Sequence, residues 1–142
     1  MTIRTKLAAV LRARKAQEDI AKGELTRANA RLADAGAHTD TRAESMRAWA
    51  GPRDGDAASY LAAIAAGRAL AAALSEARAA ERAAHGETEV EAAKLREAAK
   101  ARRGVEKLVE RATEDERLAG LAAEQKAADE VAVSRHGRGE QR

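Results

Sequence analysis

From Leu7, one stripe of mostly apolar or small residues returns at alternating steps of four and three: Leu7, Leu11, Arg14, Glu18, Ala21, Leu25, Ala28, Leu32, Ala35, Thr39, Arg42, Met46 and Trp49. A heptad phase held over that length belongs to a helix that packs along one side against another helix. Arg14, Glu18 and Arg42 make the seam imperfect. The pattern predicts helix one over 3–50. Gly51 then suits the left-handed position after a helix C-terminus, and Pro52 blocks continuation. Asp54 and Gly55 supply turn chemistry, and Asp56 is placed to cap the next helix. The turn is expected over 51–56.

A second stripe starts at Tyr60 or Leu61 and passes Ile64, Ala71, Leu74, Glu81, Thr88, Leu95, Arg102 and Val109. It drifts later to Leu118, Ala122, Gln125 and Ala132. Helix two is expected over 57–135, with Gly86 the place where it could kink, and a frayed tail over 136–142. The fold class is therefore all-α: one antiparallel two-helix coiled-coil hairpin, a single rod over 1–142, whose second helix is longer than the first.

Folding the chain tightly at Asp54 and Gly55 sets Trp49 level with Tyr60, Leu32 with Ala77 and Leu11 with Ala98. Helix one then runs out where helix two reaches about residue 106. About 30 residues of helix, roughly 45 Å at 1.5 Å per residue, are left without an intrachain partner. That overhang carries Leu108, Val109, Leu118, Leu121, Val131 and Val133. An apolar stripe exposed on a charged helix is ordinarily covered by another protein. A second copy of the chain would also cover it, so a self-assembling structural coiled coil stays open.

Composition narrows the picture. Charged residues make up 35% of the 142 residues and aromatic residues 1%, with alanine abundant and large apolar side chains sparse. Such a chain favours long helices over a multilayer core. With no Cys, disulfides and thiolate metal sites are excluded. Every window of 18 residues carries charge, so no bilayer-spanning segment and no direct membrane insertion is expected. The basic start (Arg4, Lys6, Arg12, Arg14, Lys15) lacks a compact apolar region and meets Glu18 and Asp19 at once, so it reads as mature protein.

Candidate chemistry is thin. His38, His85 and His136 are scattered, with no second ligand at helical spacing, so neither a metal nor a cofactor is expected. Carboxylates are plentiful, but a rod offers no pocket to shift a pKa or exclude water. No phosphate-cradling glycine loop occurs. The chain is read as no enzyme. A net charge of +3 is small and evenly mixed, and no aromatic platform exists. Nucleic acid is consequently the weaker alternative partner.

Two end segments carry a family resemblance. The opening "KLAAVLRARKAQEDIAKGEL" and the closing "LREAAKARRGVEKLVERATEDERLAGLAAEQKAADEVAVSR", above all "EQKAADEVAVSR", resemble the first and last helices of the flagellar type III export protein FliJ family and its injectisome stalk relatives. The resemblance implies a non-enzymatic coiled coil like the stalk of a rotary ATPase. It implies a role in flagellum biogenesis, and so in motility and chemotaxis, at the flagellar base, cytoplasmic and peripherally associated with the inner membrane.

The partners it implies are the export ATPase ring, the cytoplasmic domain of the large export-gate membrane protein, and export chaperones. Carried over, the ATPase contacts fall on Leu7, Val10, Leu11, Arg12, Gln17 and Glu18, and on Gln125, Lys126, Asp129, Glu130, Val131, Ala132 and Arg135. Leu118 and Leu121 of the overhang join them. The gate-facing surface nearer the tip falls on Met46, Trp49, Tyr60, Leu61 and Ile64. Here most neighbouring positions are Ala or Gly where the family has bulky side chains.

Overall fold

The computed structural model describes residues 2–140. Among the described residues there are two helices: α1, Ile3–Ala48, and α2, Ala57–Gly139. The described chain is all-α and α2 is the longer helix. α1 opens on a cap that the heptad pattern does not reveal: Thr2 Oγ1 accepts the Thr5 backbone N–H at 3.2 Å. It closes with the Trp49 N–H reaching back to the Met46 carbonyl at 3.3 Å. Gly51 follows with φ +79°, the left-handed conformation that a side chain would penalise. α2 then starts on the expected cap, with Asp56 Oδ1 accepting the Ser59 N–H at 2.7 Å.

Helix α1 ends two residues earlier than expected. α2 is one continuous helix across Gly86. It continues through His136–Gly139, which were expected to fray; residues 141–142 lie outside the described residues. Helical hydrogen bonding tolerates an isolated glycine at about 1 kcal/mol, which the flanking Ala, Glu and Lys residues offset.

The chain divides into two compact units. One comprises Glu18–Ala98, the adjoining parts of both helices and the turn. Its core is made of small residues: Ala21, Ala28 and Ala77 are buried, Ala28 completely. Leu25, Leu32, Ile64, Leu70 and Leu74 lie half-buried around them. Small residues at the centre let two helix backbones approach closely, with longer aliphatics closing the sides. Thr39 is tolerated in the seam because its hydroxyl donates to the Ala35 carbonyl at 3.0 Å. At the end of α1 the Trp49 indole covers Gly67, which is buried.

This unit corrects the expected register. Trp49 lies against Gly67 rather than level with Tyr60. Gly36 lies beside Glu81, and Arg31 pairs with Glu87 at 3.4 Å. At Trp49 the partner position is seven residues further along α2 than the tight fold-back required. The cause lies in the connection. The chain leaves the helix at Ala48 and spends residues 49–56 in the turn, so the first turns of α2 extend past the end of α1.

Among the described residues, the other unit comprises 2–17 and 99–140. Here Leu7 and Leu11 of α1 are half-buried, as are Val105, Val109 and Ala112 of α2. Arg4 Nε pairs with Glu116 Oε2 at 3.3 Å, and Ile3 shares a shallow groove with Ala112, Asp115, Glu116 and Ala119. Helix α1 therefore reaches Ala119, not residue 106. Leu108, Val109 and Leu118 thus fall outside the overhang, Val109 half-buried and the two leucines exposed. The unpaired segment is shorter than expected, residues 120–139, about 30 Å of helix.

Candidate functional site

Every described residue from Thr113 to Glu140 is exposed. The large apolar side chains among them, Leu118, Leu121, Val131 and Val133, show about half or more of their surface to solvent, Val133 as much as 72%. Burying each aliphatic side chain of this size is worth about 1.5–3 kcal/mol, so this stretch of α2 holds unused binding energy. Beside them stand Gln125, Lys126, Asp129, Glu130 and Arg135, all exposed. Gln125 Nε2 donates to Asp129 Oδ1 at 3.1 Å, which fixes two polar groups on one face. Further up the helix Arg117 grips Glu114 through two bonds of 2.9 and 2.7 Å. That Arg117 fork holds the Glu114 carboxyl below the usual carboxylate range.

The start of α1 adds a second contribution to the same unit. Val10 is 43% exposed, and Arg12 and Gln17 are exposed. Leu7 and Leu11 are half-buried, so they serve the helix pair before any partner. Sequence reasoning overlooked Ile3, which is 73% exposed and stands beside Ala119 where α1 begins. Its only signal is that an isoleucine follows a capping threonine. Glu18 does not belong with this set. It lies in the other unit, 7% exposed, with Lys22 Nζ 3.6 Å away, so its carboxylate faces inward.

The tip residues divide in the same way. Met46, Trp49 and Ile64 are half-buried within the helix pair. Tyr60 and Leu61 are exposed, Leu61 at 65%, and line a shallow depression with Pro52–Ala57. The two aromatic rings of the chain are thus separated in use. Trp49 packs, and Tyr60 faces solvent. The Asp56 carboxyl at the base of the depression is held below its ordinary value of 3.8 by the Ser59 N–H and then the Ser59 hydroxyl.

Inside the Glu18–Ala98 unit, the Glu91 carboxyl is also held low, first by the Lys94 ammonium at 3.2 Å, with Glu24 and Arg31 nearby. The Glu91 side chain is only 17% exposed and meets Glu24 of α1, so this carboxyl sits at the seam between the two helices. Among the described residues, no group of three His, Cys, Asp or Glu side chains is placed to hold a metal ion.

One compositional expectation is corrected. An 18-residue window of α2 reaches a mean hydropathy of 1.5, long and apolar enough by length and composition to cross a membrane, with 6% of it buried. The start of α2, residues 57–74, has this character, with Arg68 its one charge. A single interruption by Arg68 does not cancel ten alanines and four larger aliphatics. Alanine nonetheless contributes only one methyl of apolar surface per residue.

A family model described as "Flagellar FliJ protein" matches residues 3–141. No curated protein and no solved structure matches.

Proposed function

The chain belongs to the flagellar FliJ family, and from that membership we propose that it acts as a stalk-like coiled coil of the flagellar export apparatus, engaging the export ATPase ring through its two chain ends. The family places it among flagellar export components, a class of structural parts and not of known enzymes. The observation that carries the partner assignment is the run of exposed residues 113–139 with its apolar side chains. Leu118, Leu121, Gln125, Lys126, Asp129, Glu130, Val131 and Arg135 supply the main contact. Val10, Arg12 and Gln17, with Ile3, flank it from α1.

The mechanism is binding. An α-helix laying apolar anchors into a groove gains affinity from their desolvation, while the charged residues around them fix orientation. One asymmetric helix inside a ring of identical subunits makes those subunits inequivalent. Tyr60 and Leu61, exposed at the opposite end of α2, form the contact with the cytoplasmic domain of the export gate, and the Ala-rich positions around them keep that contact small. In this reading the protein works in the cytoplasm at the flagellar base and assists delivery by export chaperones. It meets the inner membrane through the gate protein and does not insert.

Truncation after Ala119 tests the assignment, because it removes the unpaired helix and leaves every α1 contact in place. The truncated chain should keep its helical unfolding transition and lose binding to the export ATPase. A full-length Leu121→Asp, Val131→Asp variant should lose binding as well. Undiminished binding by both variants would overturn the proposal. Stable dimers or tetramers at micromolar concentration, dispersed by the same two substitutions, would instead favour a self-assembling coiled coil.

A further inference from the structure

We propose that Gly120 is a hinge, about which residues 121–139 swing as one helical arm against the paired section of α2. Two independent features of the chain meet at this residue. The first is where lateral support stops. Helix α1 begins at a fixed point, because the Thr2 hydroxyl accepts the Thr5 N–H at 3.2 Å and the Lys6 N–H donates to the Thr2 carbonyl at 3.1 Å. From that capped start, Ile3 and Arg4 reach across to Ala112, Asp115, Glu116 and Ala119. Gly120 is the next residue, and every described residue beyond it is exposed.

The second feature is the residue itself. A methyl group built at Gly120 meets nothing within 4 Å, so no close approach of a neighbour calls for glycine there. Glycine is roughly fivefold less favoured than alanine at such a helical position, since it leaves the backbone more freedom to lose. Gly86 and Gly104 are equally open to solvent, but Arg31 of α1 pairs with Glu87 beside the first, and the half-buried Val105 and Val109 follow the second, so both lie in the braced section. At Gly120 the looseness of glycine coincides with the end of bracing. Bending there breaks no contact with α1, whereas bending at Gly104 would strip Val105 and Val109 from the pair. Beyond the hinge, Gln125–Asp129 and the Ser134 hydroxyl bonded to the Glu130 carbonyl at 2.9 Å sit on uninterrupted helix. The arm therefore moves as a unit. This inference concerns the isolated chain and holds whatever partner the arm meets.

The chain has no cysteine, so spin labels can be placed at will. A Leu108→Cys, Val133→Cys pair lies on exposed positions either side of Gly120 and spans about 38 Å of straight helix. Double electron–electron resonance on the full-length protein should give a broad distance distribution reaching well below that length. Adding Gly120→Ala should narrow it to one peak near the straight-helix value. A control pair, Leu121→Cys with Arg135→Cys, spans about 21 Å within the arm and should be narrow in both backgrounds. A narrow Leu108–Val133 distribution without the alanine, or one whose width the alanine leaves unchanged, overturns the hinge. A control pair as broad as the first overturns it too, because the arm would then be fraying instead of swinging.

Discussion

Trp49 lays its indole flat on Gly67, with Cζ2 only 2.5 Å from where a side-chain carbon on that glycine would stand. The one tryptophan of the chain is seated on the one buried glycine of α2, at the point where α1 gives way to the turn. This contact ties the end of α1 to a particular turn of α2, and so sets the register of the hairpin's closed end.

Gly67→Ala is accordingly a test of sign. On helix propensity alone the change should stabilise α2 by about 1 kcal/mol. Displacing the indole opposes this, since over-packing a close contact costs about 1–3 kcal/mol. The clash should win, lowering the thermal midpoint and shifting Trp49 fluorescence to the red as the ring is pushed into water. A gain in stability with unchanged emission would show that the ring is not seated on Gly67.

Asp56 makes the start of α2 sensitive to acid. Its carboxyl is held below the ordinary value of 3.8 by the Ser59 N–H and then the Ser59 hydroxyl. A depressed folded-state pKa means that the carboxylate stabilises the fold fully above the unfolded value. The contribution is lost as pH falls through the folded one. The thermal midpoint should therefore drop below about pH 4, and Asp56→Asn, which still caps but cannot titrate, should flatten that part of the profile. Identical midpoints for the two proteins from neutral pH down to pH 2 would contradict the capping role.

Register can be tested directly. Gly36 lies beside Glu81, so a Gly36→Cys, Glu81→Cys pair should be joined efficiently by a short bismaleimide. A Gly36→Cys, Leu74→Cys pair, one heptad nearer the turn, should not. Efficient linkage of the second pair alone would restore the tight fold-back at Asp54 and Gly55.

That alternative explains what could and could not be read from the chain. Nearly every member of the first stripe, from Leu7 to Trp49, is half-buried or buried as its spacing demands; Arg14 is the exception, exposed and bonded to Gln17. Both helices and the Asp56 cap were legible, because periodicity and turn chemistry are local. Register was not, because sliding one helix by seven residues returns the same faces to the seam. The choice was made by the length of chain spent between Ala48 and Ala57 and by a ring-on-glycine contact, and neither leaves a periodic trace. The same blindness covers the candidate site. The exposed ending was visible as apolar residues on a charged helix. That Glu18 points inward, and that Ile3 stands beside Ala119, depended on the register that spacing could not supply.

The central claim is that the helix beyond Ala119 is bare in the free protein and covered in the assembled one. Hydrogen exchange of the full-length chain, alone and with saturating export ATPase, reads this residue by residue. The account predicts faster exchange across 121–135 than across 18–98 in the free protein, as for a helix without lateral support, and strong protection of 121–135 in the complex, with 18–98 little changed. Protection of 121–135 already complete without the ATPase, or unaltered when it is added, would contradict it.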